Sequence, residues 1–182
     1  GKTITFNFMP CIDGNGNNYP IVQISTAKGM TADPEEDKGV QIWMATNLKA
    51  TKSSDGSNID LVSDNAAWKT LTTPAYCHYN NNASEYGPLY NWYAVSTVRL
   101  CPDGWHVPTK IDWTKLFDSL GGLVIAGGKL KETGKTHWNN PNRGATNETG
   151  FTGLAGGYRN DYGSFDWIKF YGEFWGIAEG SS

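Results

Sequence analysis

Hydrophobic and polar positions alternate strictly from Thr3 to Met9. Ile4, Phe6 and Phe8 point one way, Thr5 and Asn7 the other, the pattern of a half-buried strand. Asp13-Gly14-Asn15-Gly16 interrupts the alternation as a turn, and Tyr19 to Ser25 resumes it as a second strand. Thr31–Lys38 is acidic and Pro-broken, a surface loop, and Gln41-Ile42-Trp43-Met44 reads as a short buried strand. Lys49–Asn58 is polar and poor in apolar residues, and reads as a mobile excursion. Asp64–Leu71 fits one or two helical turns with Trp68 and Leu71 facing inward. Leu89–Leu100 fits helix or strand, with helix favoured in its first half.

The pattern changes within Leu100–Leu120, LCPDGWHVPTKIDWTKLFDSL. A Cys-Pro corner and a short Trp-containing strand lead to a Pro-Thr stop, and a helix follows. Thr109 is its natural N-cap, and Asp112 three residues on makes a capping-box arrangement with an acid at the positive helix end. Trp113, Leu116, Phe117 and Leu120 fall at i, i+3, i+4 and i+7, one apolar face. This helix, Thr109–Leu120, is expected to be the main one and to bury Trp113, Leu116 and Phe117. Gly121-Gly122 ends it. Beyond Gly121 regular helix is not expected, because glycine pairs at 121–122, 127–128 and 156–157 punctuate short strands and long loops. No repeat of fixed period is present.

Composition sharpens this picture. The 182 residues fit one domain, 1–182, in which residues 1–40 form a less typical N-terminal strand and loop extension. With 22 Gly, eight Trp, nine Tyr, seven Phe and only 18% charged residues, the chain calls for many turns, short strands and an aromatic core, not a helical bundle. The net charge of −3, without a run of Lys or Arg, argues against nucleic acid as a partner. The longest apolar run, around Leu120–Ala126, is too short to be a transmembrane segment. The abrupt start at Gly1 leads to the expectation that targeting segments have been removed. Cys11, Cys77 and Cys101 allow one disulfide in any of three pairings, with one thiol left over.

Catalytic chemistry is poorly represented. Cys77-His78 and the pair Cys101 and His106 lack the paired spacing of a zinc site. There is no G-x-S-x-G elbow, and His78 beside Cys77 is poor geometry because strand neighbours point to opposite faces. The glycine pairs lack the G-x-G-x-x-G context of a phosphate cradle and are read as close backbone approaches or bulges. The expectation is a protein that is not an enzyme.

Four blocks together resemble the Fibrobacter succinogenes major paralogous domain, a family of secreted and surface bacterial domains. They are QIWMATNL at 41–48, PAYCHYNNNASEYGPLYNWYAV at 74–95, LCPDGWHVPTKIDWTKL at 100–116 and GGKLKETGKTHWNNPNRGATNETGFTGLAGGYRN at 127–160. The resemblance implies an α+β, C-type-lectin-like fold related to formylglycine-generating enzymes, with a small twisted antiparallel sheet, two helices and a long irregular loop region. It also implies an extracellular or outer-membrane surface location. Two features depart from the family pattern. Met30–Lys38 is an acidic insertion, and the sequence ends at Glu179-Gly180-Ser181-Ser182 without the late cysteine that would partner Cys101. Cys101 is then expected to be unpaired or bonded to Cys77 or Cys11. The late-chain cysteine pair that binds copper in formylglycine-generating enzymes has no counterpart after Cys101. Thr3–Met9 is expected to pair within the chain, with strand exchange between chains as the alternative.

The loop His137–Thr149 concentrates oxygen-bearing side chains, and it is the first choice for a ligand site. Asn140, Asn142, Asn147 and Glu148 are the candidate metal ligands, since calcium takes six to eight hard oxygens from flexible loops. Asn140-Pro141-Asn142 also resembles the Glu-Pro-Asn sugar-binding element of C-type lectins. One carboxylate, Glu148, is thin for calcium, and turn formation is the favoured account of these residues. No obligatory cofactor is expected, and calcium is the ion the loop would take. Trp43, Trp92, Trp105 and Trp113 are expected in the core. Trp138, Trp167 and Trp175, with Tyr158 and Tyr162, lie in the loop-rich C-terminal third and are the candidates for exposure; Trp138, Tyr158 and Trp167 join the ligand-binding set. The functional expectation is a non-enzymatic surface recognition module binding glycan or a host or bacterial surface protein through the loop region. The alternative is a structural or adhesin subunit that assembles by strand pairing.

Overall fold

The computed structural model of the chain describes residues 10–26 and 39–178. The alternating segment Thr3–Met9, the acidic linker Thr31–Lys38 and the last residues, 179–182, lie outside the described residues. Along the described chain run β1 (Ile21–Ser25), β2 (Val40–Met44), β3 (Asp60–Leu61), α1 (Asn65–Thr70), β4 (Ala75–Cys77) and β5 (Leu89–Tyr90). They are followed by α2 (Trp92–Val95), α3 (Lys110–Ser119), α4 (Leu123–Leu130), β6 (Tyr158–Arg159) and β7 (Phe165–Asp166). No helix among the described residues is long and apolar enough to cross a membrane.

The class is α+β, with more pieces than the expected single antiparallel sheet and two helices. Among the described residues there are four α-helices and three small sheets. β1 and β2 pair antiparallel, Ile21 opposite Met44 through Ser25 opposite Val40. β4 lies between β3, which is parallel to it, and β5, which is antiparallel. β6 and β7 form a short antiparallel pair.

The helix marked most strongly by the sequence forms as expected. Thr109 Oγ1 accepts from Asp112 N at 3.2 Å, and Asp112 Oδ2 accepts from Thr109 N at 2.8 Å, the reciprocal capping box. Gly121 and Gly122, at φ 100° and 92°, end α3 in a conformation that favours glycine. Helix does not stop there, however: α4 begins at Leu123 and runs through the Gly127-Gly128 pair. Two glycines inside a helix cost about 1 kcal/mol each relative to alanine, and packing outweighs that. Ala126 and Leu130, one turn apart, are buried. A Cβ on Gly128 would come within 2.3 Å of the Gly144 carbonyl oxygen, so Gly128 is where the 144 loop crosses the helix. Thr146 N donates to the Gly128 carbonyl at the same crossing.

Two further expectations are corrected. The polar stretch 49–58 is a pinned hairpin, not a free excursion. Asn15 Oδ1 accepts from Thr51 N and Lys52 N at 2.7 and 3.0 Å, and Ala50 is completely buried. Leu89–Leu100 is neither one helix nor one strand. Leu89–Tyr90 pairs with β4, after which Asn91 caps α2 by accepting from Ala94 N.

One hydrophobic cluster joins Ile24 and Trp43 of the β1–β2 pair to Leu116, Leu120, Ala126, Leu130 and Phe151, and a second joins Ile59, Tyr76, Val95 and Leu100. Leu116 is fully buried, whereas Trp113 and Phe117 are half-buried and pack against the first cluster from its edge. Of the four tryptophans expected in the core only Trp43 is buried. Trp105 and Trp113 are half-buried and Trp92 is exposed. β2 covers one face only, so Val40 and Ile42 remain exposed beside buried Trp43. Trp68 is half-buried beneath the Arg159 guanidinium, whose carbon lies 4.5 Å from the ring centroid. Cys11, Cys77 and Cys101 carry free thiols.

Leu116→Ala should destabilise the protein by about 2–5 kcal/mol in urea denaturation, because it leaves a void where no surface group can collapse. Val124→Ala, at a position that is 98% exposed, should change stability by less than about 0.5 kcal/mol. Equal effects of the two substitutions would mean that the α3–α4 packing is misassigned.

Candidate functional site

α3 and the segment that follows β6 and β7 build part of a broad concavity. Trp113, on the cleft side of α3, packs against Trp43 of β2 with ring centroids 4.8 Å apart. Its indole N–H donates to the Trp175 carbonyl at 3.2 Å, and the Trp175 indole N–H donates to the Tyr90 carbonyl at 3.1 Å. Ile177 N donates to the Pro108 carbonyl at 3.0 Å and extends this tie. Gly176 lets the chain pass close here: a Cβ would lie 3.2 Å from the Trp113 ring, tighter than an ordinary contact.

Between these elements lies a cleft of about 1120 Å³. Trp43, Trp113, Phe151 and Phe174 line one end, and Phe174 stands 5.5 Å from Phe151 and 6.0 Å from Trp113. Tyr90, Trp105 and Trp175 also line it, and the ring of exposed Trp92, outside the lining, stands 5.9 Å from that of Trp175. Tyr86, Tyr158, Trp68 and Arg159 close the other end.

Arg159, Gln41 and Asp112 spend their polar groups on the protein itself, whereas the Trp105 indole N–H and the Tyr86 hydroxyl, on two lining residues, are buried without a hydrogen-bond partner. Arg159 is buried, and its guanidinium donates to the carbonyls of Val62, Ser63 and Gly163 and to Asn65 Oδ1 at 2.7–3.0 Å. Gln41 spans Trp43 and Asp112, accepting from the Trp43 indole at 3.2 Å and donating to the Asp112 carbonyl at 3.0 Å. The Asp112 carboxylate accepts from Thr109 and meets His106 Nε2 at 3.1 Å. Burial pushes the Asp112 carboxyl up, but the hydrogen bonds from Thr109 and His106 outweigh it and hold the group below its usual range.

The predicted loop residues take other positions. Trp138 is buried, its indole N–H on the Gly153 carbonyl at 3.0 Å and the Lys131 ammonium 4.9 Å from its ring centroid, so its face is not presented to solvent as expected. Asn140 is exposed and joined to Pro141 by a cis peptide. Asn142 donates to the Glu132 and Gly134 carbonyls at 2.8 and 3.0 Å. Asn147 exchanges two hydrogen bonds with Thr152, and Glu148 pairs with Lys129 at 3.0 Å. Asn142, Asn147 and Glu148 thus face different partners. Among the described residues no group of three or more His, Cys, Asp or Glu could hold a metal ion. Tyr158 lines the cleft. Trp167 is exposed, on a turn where its ring meets Phe170 and Tyr171 edge-on.

Trp43, Trp113 and Phe174 are cleft residues that sequence reasoning did not place in a site. The alternation of Trp43 and the helical spacing of Trp113 are those of core residues, Phe174 lies in an irregular segment with no periodic signal, and only long-range packing brings the three to a cleft. One further cluster escaped it. His137 joins that loop to two carboxylates, with Nδ1 2.8 Å from both oxygens of Glu132 and Nε2 2.8 Å from Glu85 Oε1.

Because Asp112 has a lowered pKa, the stability it contributes is complete above its unfolded value near 3.8 and is lost as pH falls through the lower folded value. Asp112→Asn should therefore be less stable than the parent at pH 6, with the gap in melting temperature closing below about pH 4. A gap independent of pH would remove the carboxylate from the cap.

No curated protein and no solved structure matches the chain. A model of the Fibrobacter succinogenes major domain matches residues 37–182, a span that holds every element lining the cleft. The chain belongs to the Fibrobacter succinogenes major domain family.

Proposed function

We propose that this chain is a non-enzymatic recognition module that binds glycan, or an extended segment of a surface protein, in its aromatic cleft. Its setting is extracellular or on the outer-membrane surface, and its fold is of the C-type-lectin-like kind. The cleft carries the reading: rings from β2, β5, α3 and the 151–159 and 173–175 segments converge on one open concavity. Aromatic faces pack against the C–H faces of sugars, and a large concave site rich in aromatics with few polar groups is the ordinary form of a ligand site. A non-enzymatic role is supported by the state of the nucleophiles. Burial pushes the Cys11 thiol up to about 11 and the Cys101 thiol up to about 12, which keeps both protonated and unreactive at neutral pH.

A glycan array run with calcium and again with chelator tests the proposal. The cleft reading expects the same retained glycans in both buffers. It also expects a drop in retention of at least about tenfold for Phe174→Ala or Trp105→Ala, two rings that line the cleft, each a loss of more than about 1.4 kcal/mol. Retention that disappears with chelator would move the site to Asn140, Asn142, Asn147 and Glu148. No retention of any glycan would leave the protein-binding form of the reading, tested by the same two substitutions against a bound surface protein.

One observation favours the adhesin-subunit alternative. β1 and β2 form a sheet with no third strand among the described residues, and Val40 and Ile42 are exposed on it. Strand-paired oligomers would appear in size-exclusion chromatography as a concentration-dependent shift. A single monomer peak across concentrations opposes that alternative.

A further inference from the structure

His137 sits where two segments meet next to the cleft. Its side chain is only 12% exposed, and a carboxylate stands at each ring nitrogen: Glu132 at Nδ1 and Glu85 at Nε2, both at 2.8 Å. A neutral imidazole has one N–H and one lone pair, so it can donate to one of these carboxylates only. Only Nδ1 is hydrogen-bonded, to Glu132; Nε2 lies within ion-pair distance of Glu85 without an aligned hydrogen bond, so it is the positive charge of the imidazolium that holds Glu85. The segment held on the Glu85 side is a wall of the cleft. Tyr86, next in the chain, lines the cleft and meets the His137 ring edge-on at 5.2 Å, while its carbonyl accepts from Asn47 Nδ2 at 2.8 Å.

We propose that His137 is a protonation-operated latch on the cleft: as the imidazolium it ties the Glu85–Gly87 wall to Glu132, and as the neutral ring it releases that wall. The inference rests on the reading of the cleft as the ligand site. The titratable groups facing the ring are Glu132, Glu85 and Tyr86. Lys131, beside Glu132 in the chain, turns its ammonium to the Arg143 carbonyl and the Trp138 face. On loss of one proton the ring keeps its bond to Glu132, the less exposed carboxylate at 21%. The lone pair left at Nε2 then repels Glu85, which at 66% exposure is free to turn into water. Burial pushes the imidazole pKa down, but the two carboxylates outweigh burial and raise it. A raised value means that the tie is complete below the unfolded pKa near 6.5 and is lost as pH rises through the folded value.

The test uses the ligand-free protein. The His137 ring resonance is titrated by NMR, and hydrogen exchange at Glu85–Gly87 is followed over the same pH range after correction for the intrinsic exchange rate. The expected result is several-fold greater protection of these amides on the acid side, with the midpoint of the His137 titration. In Glu85→Gln, a substitution at an exposed side chain, the midpoint should move down and the pH-dependent protection should vanish. Protection without an inflection at that midpoint, or an unchanged inflection in Glu85→Gln, overturns the latch. Neither outcome bears on glycan retention and its loss in Phe174→Ala, so the latch and the cleft reading fail separately.

Discussion

The indole N–H of Trp113 reaches the Trp175 carbonyl, and the indole N–H of Trp175 reaches the Tyr90 carbonyl. This relay joins a helix, the last described segment and β5, which no regular ladder connects. Each indole is half-exposed or only half-buried, so neither hydrogen bond is shielded as a core bond would be. Packing supplies the rest: Trp113 also meets Trp43, Phe117, Phe151 and Phe174 within 6.3 Å. A tryptophan suits this position because it combines a large apolar face with one directed donor. The cleft is the space left between the two indoles and the strands below them, and its shape depends on the relay.

Local signals were readable and distant ones were not. The Thr109–Asp112 capping box needs only neighbours three residues apart, and it forms as the spacing dictates. The Asp13 turn is equally local, with Asp13 accepting from Asn15 N and Asn17 N at 2.9 Å. The hairpin at 49–58 looked unconstrained because its anchor, Asn15, lies 36 residues away. α4 was obscured by Gly127-Gly128, whose reason is the crossing of the Gly144 carbonyl. The aromatic residues misled for a related cause. Period and spacing say which side of an element is apolar, but not whether another element covers it completely. Phe151–Arg159 shows the opposite case. Its burial alternates residue by residue along the whole stretch, yet only Tyr158–Arg159 is paired as a strand.

The same limit governed the loop chosen as a ligand site. Asparagine and glutamate oxygens in an irregular loop have two uses, to bind a ligand or to satisfy nearby N–H groups. Asn147 illustrates the second: at φ 49° its Oδ1 accepts from Thr152 N at 2.8 Å and its amide donates back to Thr152 Oγ1. Asn142 secures the carbonyls of Glu132 and Gly134 in the same manner. A glycine-rich chain leaves many backbone groups outside ladders, and these must still be bonded when buried. Side-chain amides do that work here, so an abundance of Asn records the irregularity of the backbone before it records a ligand.

Charge follows the same rule. Asp13 and Arg159 are buried, and their hydrogen-bond partners are backbone groups, amides and a tyrosine hydroxyl. A buried ion satisfied by oriented dipoles avoids the desolvation of a second ion, and removing one dipole costs less than stranding an opposite charge. His137 departs from this scheme, since it is a largely buried ring placed between two full carboxylates. His106 also meets a carboxylate, Asp112, but it is an exposed ring with one such partner, whereas His137 is largely buried between two. The Glu85–Gly87 wall beside the His137 ring is tied from the other side by the uncharged Asn47 amide. Neither group of the Asn47 bond titrates, so on the latch reading loss of the histidine contact frees one edge of the wall and leaves the other bonded.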